Sequence, residues 1–324
     1  MLLRRLVCLS AGLYAAVLLL PTPALAQFPD RPVKLIATQG AGSSTDLHAR
    51  LIATGLAPRL GQPVVVENLA GAAGTVGMAA GARAPADGHT LVLGNNGNVA
   101  IAPFTMKGLP YDPNRDLVPV AHLTNNWQVL IASPALGAAS LEQFIARAKA
   151  NPGKLTYGSP GEGSHAHLAM ELLQSMAGIK LVHVPYKTTA QLTTDIAGGN
   201  LDVAFDNFVA VKGLAEQGRL RVLGVTSAAP LASVPHVPPI AQVVPGYEAT
   251  GWFGVFAPAG TPPAVVQKLN GEINTVLADP KIAQTMLNAG FEARRSSPAE
   301  FAEFVRAAQK KWGDTVKAIG LQAK

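Results

Sequence analysis

Two stretches of this chain gather the residue types that can hold a small anion without a side-chain cation. The first, Gly40-Ala41-Gly42-Ser43-Ser44-Thr45-Asp46, follows an apolar run and precedes an amphipathic one. Glycines let the backbone turn its amides inward, and a helix that begins at such a loop adds unpaired N–H groups and the positive end of its dipole. Ser43, Ser44 and Thr45 contribute hydroxyls, and Asp46 can order the loop amides. The second stretch, Tyr157-Gly158-Ser159-Pro160-Gly161-Glu162-Gly163-Ser164-His165, repeats the construction, with Ser159, Gly163, Ser164 and His165 as its candidates. Neither loop contains Lys or Arg. Either loop alone would serve equally well as an ordinary helix cap. Two of them facing each other favour a ligand.

Other chemistries fit these residues less well. Gly161-Glu162-Gly163-Ser164-His165-Ala166 satisfies the dinucleotide pattern G-x-G-x-x-A. The next strand, however, ends in Val184-Pro185-Tyr186-Lys187 and lacks the acid that would hold a ribose. A hydrolase is the alternative enzyme reading. There is no G-x-S-x-G elbow, so Ser159 or Ser164 would have to find its His and Asp on distant loops. Asp46 and Asp206 could form a carboxylate pair across a cleft, yet each also suits a loop-ordering role. His167 and Glu171 share a helix face but lack a third metal ligand, which predicts a plain helical surface there. Met170 and Met176 read as core. No metal, no cofactor and no catalysis are expected.

The elements that must position these residues follow from the hydrophobic periods. Val33 to Ala37 reads as a buried strand, and Leu47, Ile52, Leu56 and Leu60 share one face of the helix after it. Further strands are expected at Val64 to Val66, Thr90 to Leu93, Val129 to Ile131, Lys154 to Tyr157, Leu181 to Val184, Leu201 to Phe205 and Arg221 to Val225. Helices fall near Ser140 to Ala150, His165 to Ala177, Thr189 to Ala197 and Val209 to Gln217. Strict alternation of strand and helix predicts α/β architecture with parallel sheets and helices on both faces. After the Pro-rich Pro230 to Pro245 and a strand at Trp252 to Ala257, the remainder is helical, with Pro262, Pro280 and Pro298 at first-turn positions. That tail is too short for a sheet of its own and is expected to pack back on the N-terminal half. The reading is therefore two lobes, 27–126 plus 251–324 and 127–250, joined by crossings near Asn125 to Trp127 and Thr250 to Trp252. Such lobes enclose a hinged cleft.

With 48% hydrophobic and only 14% charged residues, the 324-residue chain has ample core material and is not disordered. Its net charge of +6 comes from scattered residues with no basic run, which argues against a nucleic-acid partner. At the N-terminus, Arg4 and Arg5 precede an apolar run from Leu6 to Leu20, closed by Pro21 and Pro23, with Ala24-Leu25-Ala26 supplying small residues. The run is shorter than the roughly 20 residues that a membrane span needs. It reads as a signal peptide, residues 1–26, cleaved after Ala26. Cys8, the one cysteine, would leave with it, so export to the periplasm and a chain without disulfides are expected.

Several segments carry a resemblance. Leu35-Ile36-Ala37-Thr38-Gln39-Gly40-Ala41-Gly42-Ser43-Ser44-Thr45-Asp46, Leu60-Gly61-Gln62-Pro63-Val64-Val65-Val66-Glu67-Asn68 and Ala86-Asp87-Gly88-His89-Thr90-Leu91 occur in order. Leu109-Pro110-Tyr111-Asp112-Pro113, His183-Val184-Pro185-Tyr186-Lys187, Phe205-Asp206-Asn207 and Trp252-Phe253-Gly254-Val255-Phe256-Ala257-Pro258-Ala259-Gly260-Thr261-Pro262 follow. Together they resemble the extracytoplasmic solute receptors of tripartite tricarboxylate transporters, the Bordetella uptake gene family. The resemblance implies a two-lobed periplasmic-binding-protein fold of the type II-like kind that closes over a small carboxylate. It also implies delivery to membrane transporter subunits, and a monomer is expected. Where that family's first loop usually has a proline pair, an aromatic residue and a second glycine, this chain has Thr38, Gln39, Gly40-Ala41 and Ser43. Asn98-Val99 replaces the usual threonine-histidine of the third-strand loop. These departures point to a solute larger or more polar than a simple dicarboxylate. With Asn95, Asn98 and Asp206 added, the expected ligand-binding set is Ser43, Ser44, Thr45, Asp46, Asn95, Asn98, Ser159, Gly163, Ser164, His165 and Asp206.

Overall fold

The alternation of β-branched runs with amphipathic stretches builds two α/β sheets, each with its own helices. The computed structural model describes residues 28–186, 188–231 and 234–323. The expected signal peptide and its cleavage point lie outside the described residues, as does Lys187. The chain begins with β1 (Val33–Ala37), α1 (Ser44–Leu60), β2 (Val64–Asn68), α2 (Thr75–Ala82), β3 (Thr90–Asn95), α3 (Ala102–Thr105) and β4 (Leu117–Asn126). It continues through β5 (Gln128–Ala132), α4 (Leu141–Ala150), β6 (Thr156–Ser159), α5 (His165–Ala177) and β7 (Val182–Pro185). Next come α6 (Thr189–Ala197), β8 (Val203–Asn207), α7 (Phe208–Glu216) and β9 (Arg221–Val225). The last stretch is β10 (Gly251–Pro258), α8 (Pro263–Leu277), α9 (Pro280–Asn288), β11 (Glu292–Ala293) and α10 (Pro298–Ala318).

One sheet has the order β11-β4-β10-β3-β1-β2 and the other β7-β6-β8-β5-β9. The chain leaves the first sheet at Asn126, enters the second at Gln128, and returns at Gly251. The alternation predicted wholly parallel sheets, but both are mixed. β1 pairs parallel with β2 and β3, whereas β10 runs antiparallel between β3 and β4. In the second sheet β6 is parallel to β7 and β8, while β5 is antiparallel to β8 and β9. The cause is the connectivity: β10 re-enters the first sheet only after the second is complete, and fills the slot between β3 and β4. Flanked on both sides, every residue of β10 is buried, which explains its unbroken apolar run.

Strand β4 escaped the sequence reading because Pro119, His122, Asn125 and Asn126 interrupt any apolar run or alternation. The C-terminal helix behaves as its pattern demands. Phe301, Val305, Gln309, Trp312 and Val316 recur every three or four residues and are buried along one stripe. That stripe packs on β4 and on the turn after β3, but α10 also touches α5 of the second half, so the tail braces both parts of the molecule. One buried cluster accordingly runs from Val92, Val99 and Trp312 to Phe144, Leu168 and Phe205. Met170 belongs to it, whereas Met176 is exposed, contrary to expectation. Among the described residues no helix is long and apolar enough to cross a membrane.

Candidate functional site

Five helical starts converge on a cleft of about 820 Å³ between the two sheets. Their caps are Ser43 for α1, Asn95 for the short turn Asn96–Ile101, Ser164 for α5, Thr188 for α6 and Asn207 for α7. All five starts follow a strand, two of them, at Asn96 and Phe208, with no residue between, and strand ends are where α/β units present their loops. Each capping side chain takes an amide of its own first turn. The remaining first-turn N–H groups and the positive dipole ends are left for whatever occupies the cleft.

The first-half loop is held by Asp46 from behind. Its carboxylate accepts from the Gly42 amide (3.0 Å), from Asn68 Nδ2 (2.9 Å) and from Arg50 Nε (3.0 Å). Arg50 and the Gly42 amide hold the Asp46 carboxyl well below the usual range, at about 2. Gly42 has φ 80°, a conformation that glycine adopts without penalty, and this lets its amide face the carboxylate. Thr45 is buried and donates to Gln39 Oε1 (2.7 Å), while the Ser43 hydroxyl caps the amide of Asp46 (3.2 Å). Ser44 and Gln39 therefore face the cleft, and Ser43, Thr45 and Asp46 stand behind it. Next to them, Asn98 is buried; its Oδ1 accepts from the Asn95 amide (2.8 Å) and its Nδ2 donates to Thr38 Oγ1 (3.2 Å).

The second-half loop has the same two layers. Ser164, Gly163 and His165 line the cleft. Ser159 is fully buried; its hydroxyl donates to the Gly161 carbonyl (3.1 Å), and His183 Nε2 lies 2.7 Å away. Gly163, with φ 76°, turns its amide onto His167 Nδ1 (3.2 Å), so His167 is buried and the surface expected at that position is absent. Glu171 meets the Tyr157 hydroxyl and Gln174 Nε2 (2.7 Å). Among the described residues no three His, Cys, Asp or Glu side chains are placed to share a metal ion.

No Lys or Arg is among the described residues that line the cleft. Its titratable groups are Glu162, His165 and Asp206. Burial, helped by Lys311, holds the His165 imidazole at about 4, so the ring is neutral at physiological pH. Burial pushes the Asp206 carboxyl up, against the opposing Asn207 amide (2.7 Å) and Thr193 hydroxyl (3.2 Å). Four buried lining atoms have no hydrogen-bond partner among the described residues: Asn96 Nδ2, Gln128 Oε1, His165 Nε2 and Trp252 Nε1. An unpaired buried polar group costs about 1–3 kcal/mol. These four are the natural contacts for a polar ligand or its bridging water.

Six of the residues singled out in the sequence reach the cleft: Ser44, Asn95, Gly163, Ser164, His165 and Asp206. Ser43, Thr45, Asp46, Asn98 and Ser159 do not, because their polar atoms are consumed in capping and in shaping the loops. Sequence reasoning missed Gln39, Asn96, Asn126, Gln128, Asn207 and the aromatic pair Phe253 and Phe291. Asn126 and Gln128 flank the first crossing, and two amides at the junction of two strands was the available signal. Trp252, at the second crossing, does line the cleft, whereas Trp127 packs against the core of the second half.

The family model described as "Tripartite tricarboxylate transporter family receptor" matches residues 48–321. The protein BugT of Bordetella pertussis is 34% identical over 316 residues, covering 97% of both chains. Among solved structures, R. palustris Rpa4515 with adipate is 34% identical with a TM-score of 0.79, over 92% of this chain and 100% of that one. MatC from Rhodopseudomonas palustris with bound malate is 30% identical with a TM-score of 0.74, over 89% of this chain and 100% of that one. The two-sheet architecture is thus that of periplasmic binding proteins, and the chain belongs to the tripartite tricarboxylate transporter family of receptors.

Proposed function

We propose that this chain captures a small carboxylated solute in the periplasm and hands it to the membrane subunits of a tripartite tricarboxylate-type transporter. The observation that carries the reading is the convergence of five helix starts on a cleft whose described lining has no Lys or Arg. Such a site suits an anion held by amides, hydroxyls and water. The bound adipate and malate of the two relatives support the class of solute. Gln128 Oε1 and Asp206 stand among these donors and suit a solute that offers a hydroxyl or N–H group besides its carboxylates. The lobes of this reading are 27–126 plus 251–324 and 127–250, closing on the solute as a monomer.

Catalysis is not part of the proposal. Ser159 and His183 meet side chain to side chain at 2.7 Å, but Ser159 is fully buried and does not line the cleft. A nucleophile must reach its substrate. Residues 1–26 serve as a removed leader, so the exported protein should have the intact mass of a chain beginning at Gln27; retention of Cys8 would contradict this. The solute class is tested by thermal shift with adipate, malate, citrate and glutamate, against glucose and putrescine. A solute bound only by the folded state raises the melting temperature by mass action. At least one of the acids should do so. Stabilisation by glucose or putrescine alone would refute the carboxylate reading.

A further inference from the structure

A second pocket, about 820 Å³, opens between β4, β11 and the first turns of α10, and shares no lining residue with the cleft. Its wall holds two polar atoms without a hydrogen-bond partner among the described residues, Asn274 Oδ1 and Ser296 Oγ, while the His122 and Asn125 side chains meet each other. His122 and Asn125 are each only 5% exposed and form the floor of the pocket. Their orientation is fixed. His122 is stacked on Phe301 with centroids 5.2 Å apart and tilted over Phe304 at 4.4 Å. Asn274 gives its Nδ2 to the Ser296 carbonyl (2.9 Å) and to Asn270 Oδ1 (3.0 Å), which leaves its Oδ1 facing the pocket unpaired.

Arg294 and Arg295 also line this pocket, and neither forms an ion pair among the described residues. A carboxylate entering the pocket meets two guanidinium groups on its lining, each of which presents planar donors to it. The buried Asn274 Oδ1, by contrast, requires a donor. Glu300, also on the lining, is committed to capping α10 through Ser297 (2.8 and 2.9 Å). A single small molecule answers both demands if it carries a carboxylate and a hydroxyl. We propose that this pocket is a second binding site, for a small hydroxylated carboxylate whose acid group pairs with the Arg294 and Arg295 side chains on its lining and whose hydroxyl donates to Asn274 Oδ1. The site does not depend on the reading of the cleft. It does adjoin it: Asn125 lines the pocket and Asn126 the cleft, and the Trp252 ring meets His122 edge-on at 6.4 Å. An occupant would therefore press on the strand that leads into the first crossing.

The test uses citrate as probe, with tricarballylate as the same molecule lacking the hydroxyl. Side-chain resonances of histidine-labelled protein report the two sites separately, His122 for this pocket and His165 for the cleft. The His122 signal should shift saturably with citrate, about ten-fold tighter than with tricarballylate, on the scale of about one hydrogen bond to a buried neutral acceptor. The exposed pair R294Q/R295Q should weaken the His122 response at least about ten-fold without loss of fold. The S44A/S164A variant should leave it unchanged, which keeps failure here distinct from failure of the cleft. Absence of a saturable His122 shift, equal affinity for the two acids, or full binding by R294Q/R295Q would each overturn the proposal.

Discussion

At the scale of single residues, the cleft is built in two layers, one that lines it and one that shapes the loops from behind. Asp46 orders the first loop from behind, and Asn98 does the same for the turn after β3. This is why those two residues were legible as important yet misplaced as contacts. A side chain that organises amides leaves the same sequence signal as one that touches the ligand. The hydroxyls divide likewise: Ser44 faces the cleft while Ser43 is spent on the helix cap. Three buried histidines make the fold sensitive to acid. Burial holds His48, His122 and His165 at about 4, below the ordinary value of 6.5. The unfolded chain therefore binds protons that the folded one refuses, and stability should fall as pH drops from 6.5 towards 4. The slope reaches about 1.4 kcal/mol per pH unit for each histidine. Asp46 adds a later loss, as pH falls from its ordinary value of 3.8 through about 2. Urea unfolding at neutral and mildly acid pH checks this; a midpoint that does not move would show that the histidines titrate freely.

At the scale of elements, the strands and helices with clean periods could be read directly. Val33–Ala37, Arg221–Val225, His165–Ala177 and Thr189–Ala197 stand where the pattern put them. What could not be read was set by tertiary placement. β4 is buried in the sheet yet carries His122, Thr124 and Asn125, because Thr124 pairs with the buried His48 ring and the other two line a pocket, so there is no uniform apolar face. The wide turn Asn96–Ile101 has no periodic signature, and it is held from the far end of the chain. Trp312 Nε1 donates to Asn96 Oδ1 (2.9 Å), and Gln309 Nε2 donates to the Val99 carbonyl (3.1 Å). The C-terminal helix thus positions a cleft residue some two hundred positions away in sequence. Trp312→Phe keeps the apolar packing and removes the donor, leaving a buried amide oxygen unpaired. It should cost about 1–3 kcal/mol of stability and weaken solute binding together with it. If urea denaturation shows the stability loss while calorimetry shows unchanged binding, α10 is only a brace.

At the scale of the whole molecule, two sheets and two crossings bring five helix starts to one cleft, and the proposed reading is a receptor that holds its anion by geometry instead of by counter-charge. Gly290 gives one reason the halves fit so closely: a Cβ there would lie 2.6 Å from Asn207 Oδ1, and φ 85° already disfavours other residues. Across the same contact Asn207 Nδ2 approaches the Ala289 carbonyl at 3.5 Å. The two-lobed outline was legible because the turn signals and the change to helix after Pro262 mark it; the mixed strand direction was not, since nothing local records where β10 is inserted. The central claim is that neutral donors hold the solute, and calorimetric titration of the best-stabilising acid into the unaltered protein, Ser44→Ala, Ser164→Ala and Lys187→Gln, at low and high salt, tests it most directly. Each serine variant should bind about ten-fold to a hundred-fold more weakly, as expected for about 1.5–3 kcal/mol per hydrogen bond to a charged group. Lys187→Gln should change little, and salt should lower the affinity only modestly, because buried contacts are poorly screened. Loss of binding in Lys187→Gln with a steep salt dependence, while both serine variants bind normally, would contradict the account.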